Sequence, residues 1–195
     1  MTATHDSTRR LVMTALATLP LAGMATTQSG GVRRMGSRTL VAYFSRTGNT
    51  RVIAGLIHRQ LETDLFEIRP ATPYPEDYLA TVDQARQERD SNYEPALEST
   101  ISDISNYDTV FLGFPIWGET APAVIRSFLS KHDLSGKTLI PFVTHGGYGL
   151  GNSQSVIASH ASNAHLLTWL VMEADQERRT METVMEWLKG VNVKA

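Results

Sequence analysis

Thr39-Leu40-Val41-Ala42-Tyr43-Phe44 runs directly into Ser45-Arg46-Thr47-Gly48-Asn49-Thr50. The first segment is continuously apolar, as a strand covered on both faces should be. The second is rich in small hydroxyl and amide side chains around a single glycine. Val52, Ile53, Leu56, Ile57 and Leu61 then recur at helical spacing, so the loop ends at a helix N-terminus. Unpaired N–H groups and the positive end of the helix dipole favour a phosphate there. The loop has no lysine. It also lacks the spacing of a Walker A motif and does not match the Gly-x-Gly-x-x-Gly dinucleotide fingerprint. A phosphate held mainly by neutral donors suits a permanently bound monophosphate better than a triphosphate being cleaved. The ligand expected here is a mononucleotide.

Working outward, five apolar, β-rich runs recur: Thr39–Phe44, Asp64–Ile68, Thr109–Phe114, Thr138–Thr144 and His165–Glu173. Helical patterns fall between and after them, over Thr50–Glu62, Glu76–Arg89, Pro122–Ser130, Asn152–Ala161 and Gln176–Gly190. Such alternation predicts a doubly wound α/β sandwich, a five-stranded parallel sheet with helices on both faces. Ligands in such sheets sit beyond the carboxyl ends of the strands, where the strand order reverses. There is no internal repeat and no sign of a second domain. Arg69–Ser102 is longer than a crossover needs and is punctuated by Pro70, Pro73, Pro75 and Pro95. Within it, Glu76 and Asp77 are expected in the first turn of a helix. That segment either packs over the sheet edge or brings Tyr74 or Tyr78 to a ligand.

Two further loops follow apolar strands. Gly113-Phe114-Pro115-Ile116-Trp117-Gly118 leads into Ala121-Pro122, and Thr144-His145-Gly146-Gly147-Tyr148-Gly149 follows the fourth run. Together with Tyr43–Thr50, these segments resemble in order and spacing the phosphate loop and the two flavin-ring loops of the flavodoxin family. The resemblance extends from about Thr39 to about Val191. It implies a flavodoxin-like sheet of order 2-1-3-4-5 with FMN as cofactor. The cofactor-binding residues it implies are Ser45, Arg46, Thr47, Gly48, Asn49, Thr50, Pro115, Ile116, Trp117, Gly118, Thr144, His145, Gly146, Gly147, Tyr148 and Gly149.

An FMN site needs a phosphate clamp, a sandwich for the ring, and backbone groups along the ring's polar edges. Ser45, Thr47, Asn49 and Thr50 provide clamp chemistry, and Gly48 allows close main-chain approach. Arg46 either reaches the phosphate or projects into solvent. Trp117 is the candidate stacking ring, since a large aromatic on a loop calls for a flat cover. Its alternative is to fold back onto Pro122 and the following helix. Gly118 permits a peptide flip, and the glycines at 146, 147 and 149 expose N–H groups. Tyr148 could stack against the ring. His145 is either a proton donor to the ring or a structural hydrogen-bonder. His58, His132, His160 and His165 show no metal-ligand spacing.

Composition narrows the function. The 195 residues carry a net charge of −2 and no cysteine. Disulfides, thiolate metal sites and cysteine nucleophiles are excluded, and no basic field for nucleic acid exists. Flavodoxins proper are typically strongly acidic, so this near-neutral chain departs from the electron-shuttle pattern. A Gly-x-Ser-x-Gly nucleophile elbow is absent. Strand one ends in Tyr43-Phe44-Ser45 rather than in the acidic cluster of a receiver domain.

The expectation is electron or hydride transfer through FMN. It takes one of two forms: NAD(P)H-dependent reduction of small quinone-like acceptors, or one-electron carriage to a redox partner protein. A flavodoxin-fold scaffold without flavin is the non-enzymatic alternative. Residues 1–25 read as an export signal of twin-arginine type, with Arg9-Arg10 before a short run of small apolar residues that Pro20 interrupts. That run is too short for a stable membrane span. Residues 26–38 read as a linker and 39–195 as the domain. With the signal in use the protein is periplasmic or otherwise exported; starting at Met24 or Met35 it is cytoplasmic.

Overall fold

The computed structural model describes residues 38–173 and 177–191. The expected export signal, and all of the expected linker but Arg38, lie outside the described residues. The chain divides into units 1–33 and 34–195, and every described residue belongs to the second.

Strands β1 (Thr39–Tyr43), β2 (Asp64–Glu67), β3 (Thr109–Pro115), β4 (Thr138–His145), β5 (His165–Leu166) and β6 (Leu170–Glu173) form one sheet. Helices α1 (Asn49–Leu61), α2 (Tyr78–Asp90), α3 (Ala123–Lys131), α4 (Ser153–His160) and α5 (Glu177–Gly190) connect and follow the strands. The order is β2-β1-β3-β4-β5, with β6 also paired to β4, and every pairing is parallel. This is the doubly wound parallel sheet expected of the alternating pattern, in the 2-1-3-4-5 order that the family resemblance implies. Helix ends fall within two residues of the expected ones. A single 3-10 turn at Ile104–Asn106, just before β3, was not anticipated.

The continuous apolar runs are explained by the two cores they feed. Leu40, Ala42, Val110, Leu112, Phe114, Leu139 and Val143 point to one face, under Val124, Ile125, Phe128 and Leu129 of α3 and Ile157 of α4. Val41, Tyr43, Phe111, Ile140 and Phe142 point to the other, under Ile53, Ala54, Leu56 and Ile57 of α1 and Val184 of α5. Neither face is left to water, so alternation of apolar and polar residues disappears from these strands.

The expected single strand His165–Glu173 is instead broken into β5 and β6. Pro141 is the physical cause. On the β5 side of β4, the Leu139 carbonyl accepts from Leu167 N–H at 3.0 Å. Residues two apart in a strand face the same neighbour, so Pro141 would donate there as well, and it has no N–H. The register shifts at that point, from Leu139↔Leu166 to Phe142↔Leu170, leaving one extra residue on the outer strand. Leu166 consequently packs with the α3 side and Leu170 with the α1 side, although residues four apart in a regular strand share a face.

The excursion between β2 and β3 is closed at its base, where Ala71 N–H donates to Ala96 O and Glu98 N–H to Arg69 O. Asp77 is the N-cap of α2, its carboxylate accepting from Ala80 N–H at 2.8 Å. It therefore lies outside the first helical turn, where two carboxylates were expected; that turn contains none. At the other end of α2, the buried Arg126 of α3 donates to the carbonyls of Glu88 and Tyr93 at 3.0 and 3.2 Å. Arg38 already belongs to this unit: its carbonyl accepts from Asp108 N–H and its guanidinium pairs with the Asp108 carboxylate.

Candidate functional site

β1 and β3 are neighbours whose crossovers depart in opposite directions, so their following loops diverge and leave a crevice at the carboxyl edge. The loops after β1, β3 and β4 share a cavity of about 510 Å³ there. Of the residues expected at a ligand, Ser45, Arg46, Thr47, Asn49, Thr50, Pro115, Ile116, Trp117, Gly118, Thr144, His145, Gly146 and Tyr148 line it. Gly48, Gly147 and Gly149 do not. They stand at φ of +98°, +106° and +72°, so they shape the loops rather than face the cavity.

The first loop delivers free donors. Gly48 takes the N-cap position of α1 with no side-chain cap. The N–H groups of the first turn are therefore left for a ligand at the end that Asn49 and Thr50 line. The Ser45 hydroxyl accepts from Gly48 N–H at 3.1 Å and holds the loop curled. Thr50 is buried, and its hydroxyl pairs with that of Thr144 at 2.9 Å. This hydroxyl ties α1 to the end of β4, while the Thr50 N–H remains on the helix N-terminus. Arg46 meets neither expectation: its guanidinium donates to the carbonyls of Pro75 and Glu76, bracing the loop against the start of α2.

The second loop turns tightly. Trp117 and Thr120 exchange N–H to O bonds at 3.0 and 3.2 Å. Gly118 and Glu119 between them both have positive φ, +54° and +61°, the pattern of a type I′ turn. Glu119 is held in a region L-residues avoid, a local strain of the kind found at ligand loops. Trp117 is half-buried and meets Phe44 and Tyr74 in edge-to-face pairs, with ring centroids 5.2 and 4.8 Å apart. It is braced by these rings while still lining the cavity. Tyr74 stands behind it, donating its hydroxyl to the buried Glu88 carboxylate at 2.9 Å. Burial, reinforced by that carboxylate, pushes the Tyr74 phenol well above its ordinary range, so it stays protonated.

In the third loop, His145 Nδ1 accepts from Gly147 N–H at 3.0 Å and from Gly149 N–H at 3.3 Å. Of the two roles expected for His145, this geometry is that of the structural hydrogen-bonder, with Nδ1 serving as the acceptor. The loop also locks onto the second one. Asn152 N–H donates to Glu119 O at 2.9 Å, and a Cβ at Gly151 would lie 1.9 Å from that same oxygen.

One wall was missed but for Tyr78. Tyr78, Thr81, Val82, Ala85, Arg86 and Arg89 of α2 line the cavity opposite the loops. Their spacing is a helical stripe, but a polar and basic one, so hydrophobic periodicity gave no signal. Of the two tyrosines considered for a ligand, Tyr78 lines the cavity. Among the described residues no group of three metal-binding side chains occurs, and no helix is long and apolar enough to cross a membrane.

A flavodoxin family model matches residues 38–191. The chain belongs to the flavodoxin family. Solved structures agree with the architecture. A candidate flavoprotein from Bacteroides uniformis is 33% identical, covering 79% of this chain and 99% of that one, with a TM-score of 0.70. Another, from Bacteroides eggerthii, is 34% identical over 80% of this chain and 98% of its own, with a TM-score of 0.69. A flavoprotein from Lactobacillus acidophilus, determined in complex with FMN, is 22% identical over 74% of this chain and 97% of its own, with a TM-score of 0.62. At that identity the likeness is one of fold. A search of curated proteins returned no match. Within this family the three loops at the carboxyl edge are the natural place for a cofactor, and here they converge on one cavity.

Proposed function

We propose that this flavodoxin-family chain binds FMN in the carboxyl-edge cavity and acts as a redox protein, transferring electrons or hydride between a donor and a small quinone-like acceptor. The observation that carries it is the convergence of an uncapped helix N-terminus, a braced tryptophan and a glycine-rich loop on one cavity. The residues suit the group. Ser45, Thr47 and the first-turn N–H groups of α1 hold the phosphate; Trp117 offers an aromatic face for the ring; the main chain of Gly146 offers a donor to its polar edge. FMN, when bound, supplies a ring that takes electrons singly or as hydride. The protein's own part is to orient that ring, shield it from water and leave one approach open.

The Lactobacillus relative crystallised with FMN supports the cofactor. The near-neutral charge of −2 supports a reductase over a shuttle docking on basic partners. NAD(P)H is the proposed donor. For localisation we keep the export signal of residues 1–25, which cell fractionation of the tagged full chain tests directly.

The experiment is an absorption spectrum of the purified protein followed by anaerobic addition of NADH or NADPH. Flavin bands that bleach rapidly establish the reductase. Flavin that nicotinamides leave oxidised makes the protein a one-electron carrier. A colourless protein that takes up no added FMN defeats the proposal.

A further inference from the structure

The cavity lining carries Arg46, Arg86 and Arg89 against a single carboxylate, Glu119, in a chain whose net charge is −2. Arg46 is consumed by the carbonyls of Pro75 and Glu76. Arg86 and Arg89 are different, being one helical step apart on the α2 wall, with side chains 60% and 41% exposed. Among the described residues Arg86 pairs with Asp83, at 3.7 Å and itself 66% exposed; Arg89 shares its Nε with Asp90 at 2.9 Å. Such surface pairs are weak and exchange readily for a better anion. Cations of this kind are often merely the solvated face of a helix, and Arg89 also suits the negative end of the α2 dipole.

The second loop argues for more than that. Arg89 Nη1 donates to Gly118 O at 3.3 Å. A Cβ at position 118 would stand 3.1 Å from that same nitrogen. The guanidinium thus rests close against the turn beside Trp117, where a side chain at 118 would make it give by a few tenths of an ångström. The third loop packs on the same turn through Asn152 and Gly151, and it carries Tyr148, 83% exposed and lining the cavity. A paired cation and an uncovered flat ring therefore share the rim of one cavity.

We infer that Arg86 and Arg89 form an anion-recognition site at this rim, and that the small acceptor is a flat organic anion: its carboxylate or sulfonate lies against the two guanidiniums and its ring against Tyr148. The inference rests on the FMN reading above. A cavity of about 510 Å³ that also holds a flavin leaves room for a small flat acceptor. Guanidinium forks match a planar oxyanion and lose little on desolvation.

The test is isothermal titration of oxidised, FMN-loaded protein with 1,4-naphthoquinone-2-sulfonate and with neutral 1,4-naphthoquinone. The chain has no cysteine to which a quinone could add. The sulfonate should bind roughly tenfold more tightly at low salt, with the preference shrinking as salt rises. In the Arg86→Gln/Arg89→Gln variant the preference should disappear while neutral quinone binding stays. Glutamine is a good helix former at these exposed positions, so α2 is retained. Equal affinity for the two quinones, or a preference that survives the double variant, overturns the assignment. A loss seen with NADP⁺ but not with the sulfonate overturns it too, in favour of the donor. Flavin absorbance in the same sample separates the two levels: protein without flavin defeats the FMN proposal and this one together, whereas flavin-loaded protein indifferent to the sulfonate defeats this one alone.

Discussion

At the scale of single residues, Gly113 shows how tightly the strands behind the site are packed. It sits opposite Phe142 across the β3–β4 ladder, and a Cβ there would lie 2.1 Å from the tip of the Phe142 ring. Both neighbours are buried strands, so the ring has nowhere to retreat. Gly113→Ala should destabilise the fold by about 2 kcal/mol through overpacking, read as a lower urea midpoint at unchanged slope. The Thr50–Thr144 hydroxyl pair calls for a different experiment. Removing either partner strands a buried hydroxyl, whereas removing both strands none. Thr50→Val and Thr144→Val should each cost roughly 1–2 kcal/mol, and the double variant no more than one single. Additive losses in the double-mutant cycle would mean that the hydroxyls do not support each other. The Ser45–Thr50 loop was legible from sequence as a donor-rich turn into a helix N-terminus because its chemistry is local: small donors ahead of a helix. The partners of Arg46 were not, since the Pro75 carbonyl it meets is 29 residues away.

Among the elements, the outer strand is where sequence pattern and structure part. His165–Glu173 reads as one apolar run, and nothing within it announces a break. The cause lies on the neighbouring strand, at Pro141, whose missing donor falls on that side of β4. Hydrogen exchange checks this. The amides of Thr168 and Trp169 should exchange markedly faster than that of Leu167, which donates to the Leu139 carbonyl, because the ladder is interrupted between the two registers. Uniform protection from 165 to 173 would mean a continuous strand. Helix α2 teaches a related lesson. Its span was readable to within two residues, although Asp77 was expected inside the first turn and is instead the cap, but its role as the fourth wall of the cavity was not. Only two of its residues, Thr81 and Glu88, are buried, so its inward stripe carries polar and charged side chains and leaves no apolar trace.

For the molecule as a whole, two titrations should separate by pH. Burial holds the His132 imidazole below its ordinary value near 6.5, against the opposing pull of the Phe128 carbonyl. Its Nε2 also accepts from Ile101 N–H at 2.9 Å. As pH falls through about 6.5 the unfolded chain takes up this proton before the folded one, so stability declines from there downward. Burial of Glu67 would raise its pKa, but hydrogen bonds from Arg51 and Arg69 outweigh it and hold the carboxyl below its ordinary 4.5. That contribution is present above 4.5 and fades as pH drops below it. Melting temperatures should therefore fall in two stages, and His132→Gln should flatten the upper stage alone; an unchanged slope between pH 8 and 5.5 would remove His132 as its cause. The sequence by itself determined the alternation of strands and helices, the burial of the central strands on both faces, and the three loops at one sheet edge. Each of these follows from local periodicity and from the fixed direction of a parallel strand. Tertiary structure alone decided which wall closes the cavity, where the outer strand breaks, how Trp117 is braced and where the arginines lie. Those features depend on groups far apart in the chain meeting in space, and no local pattern records such meetings.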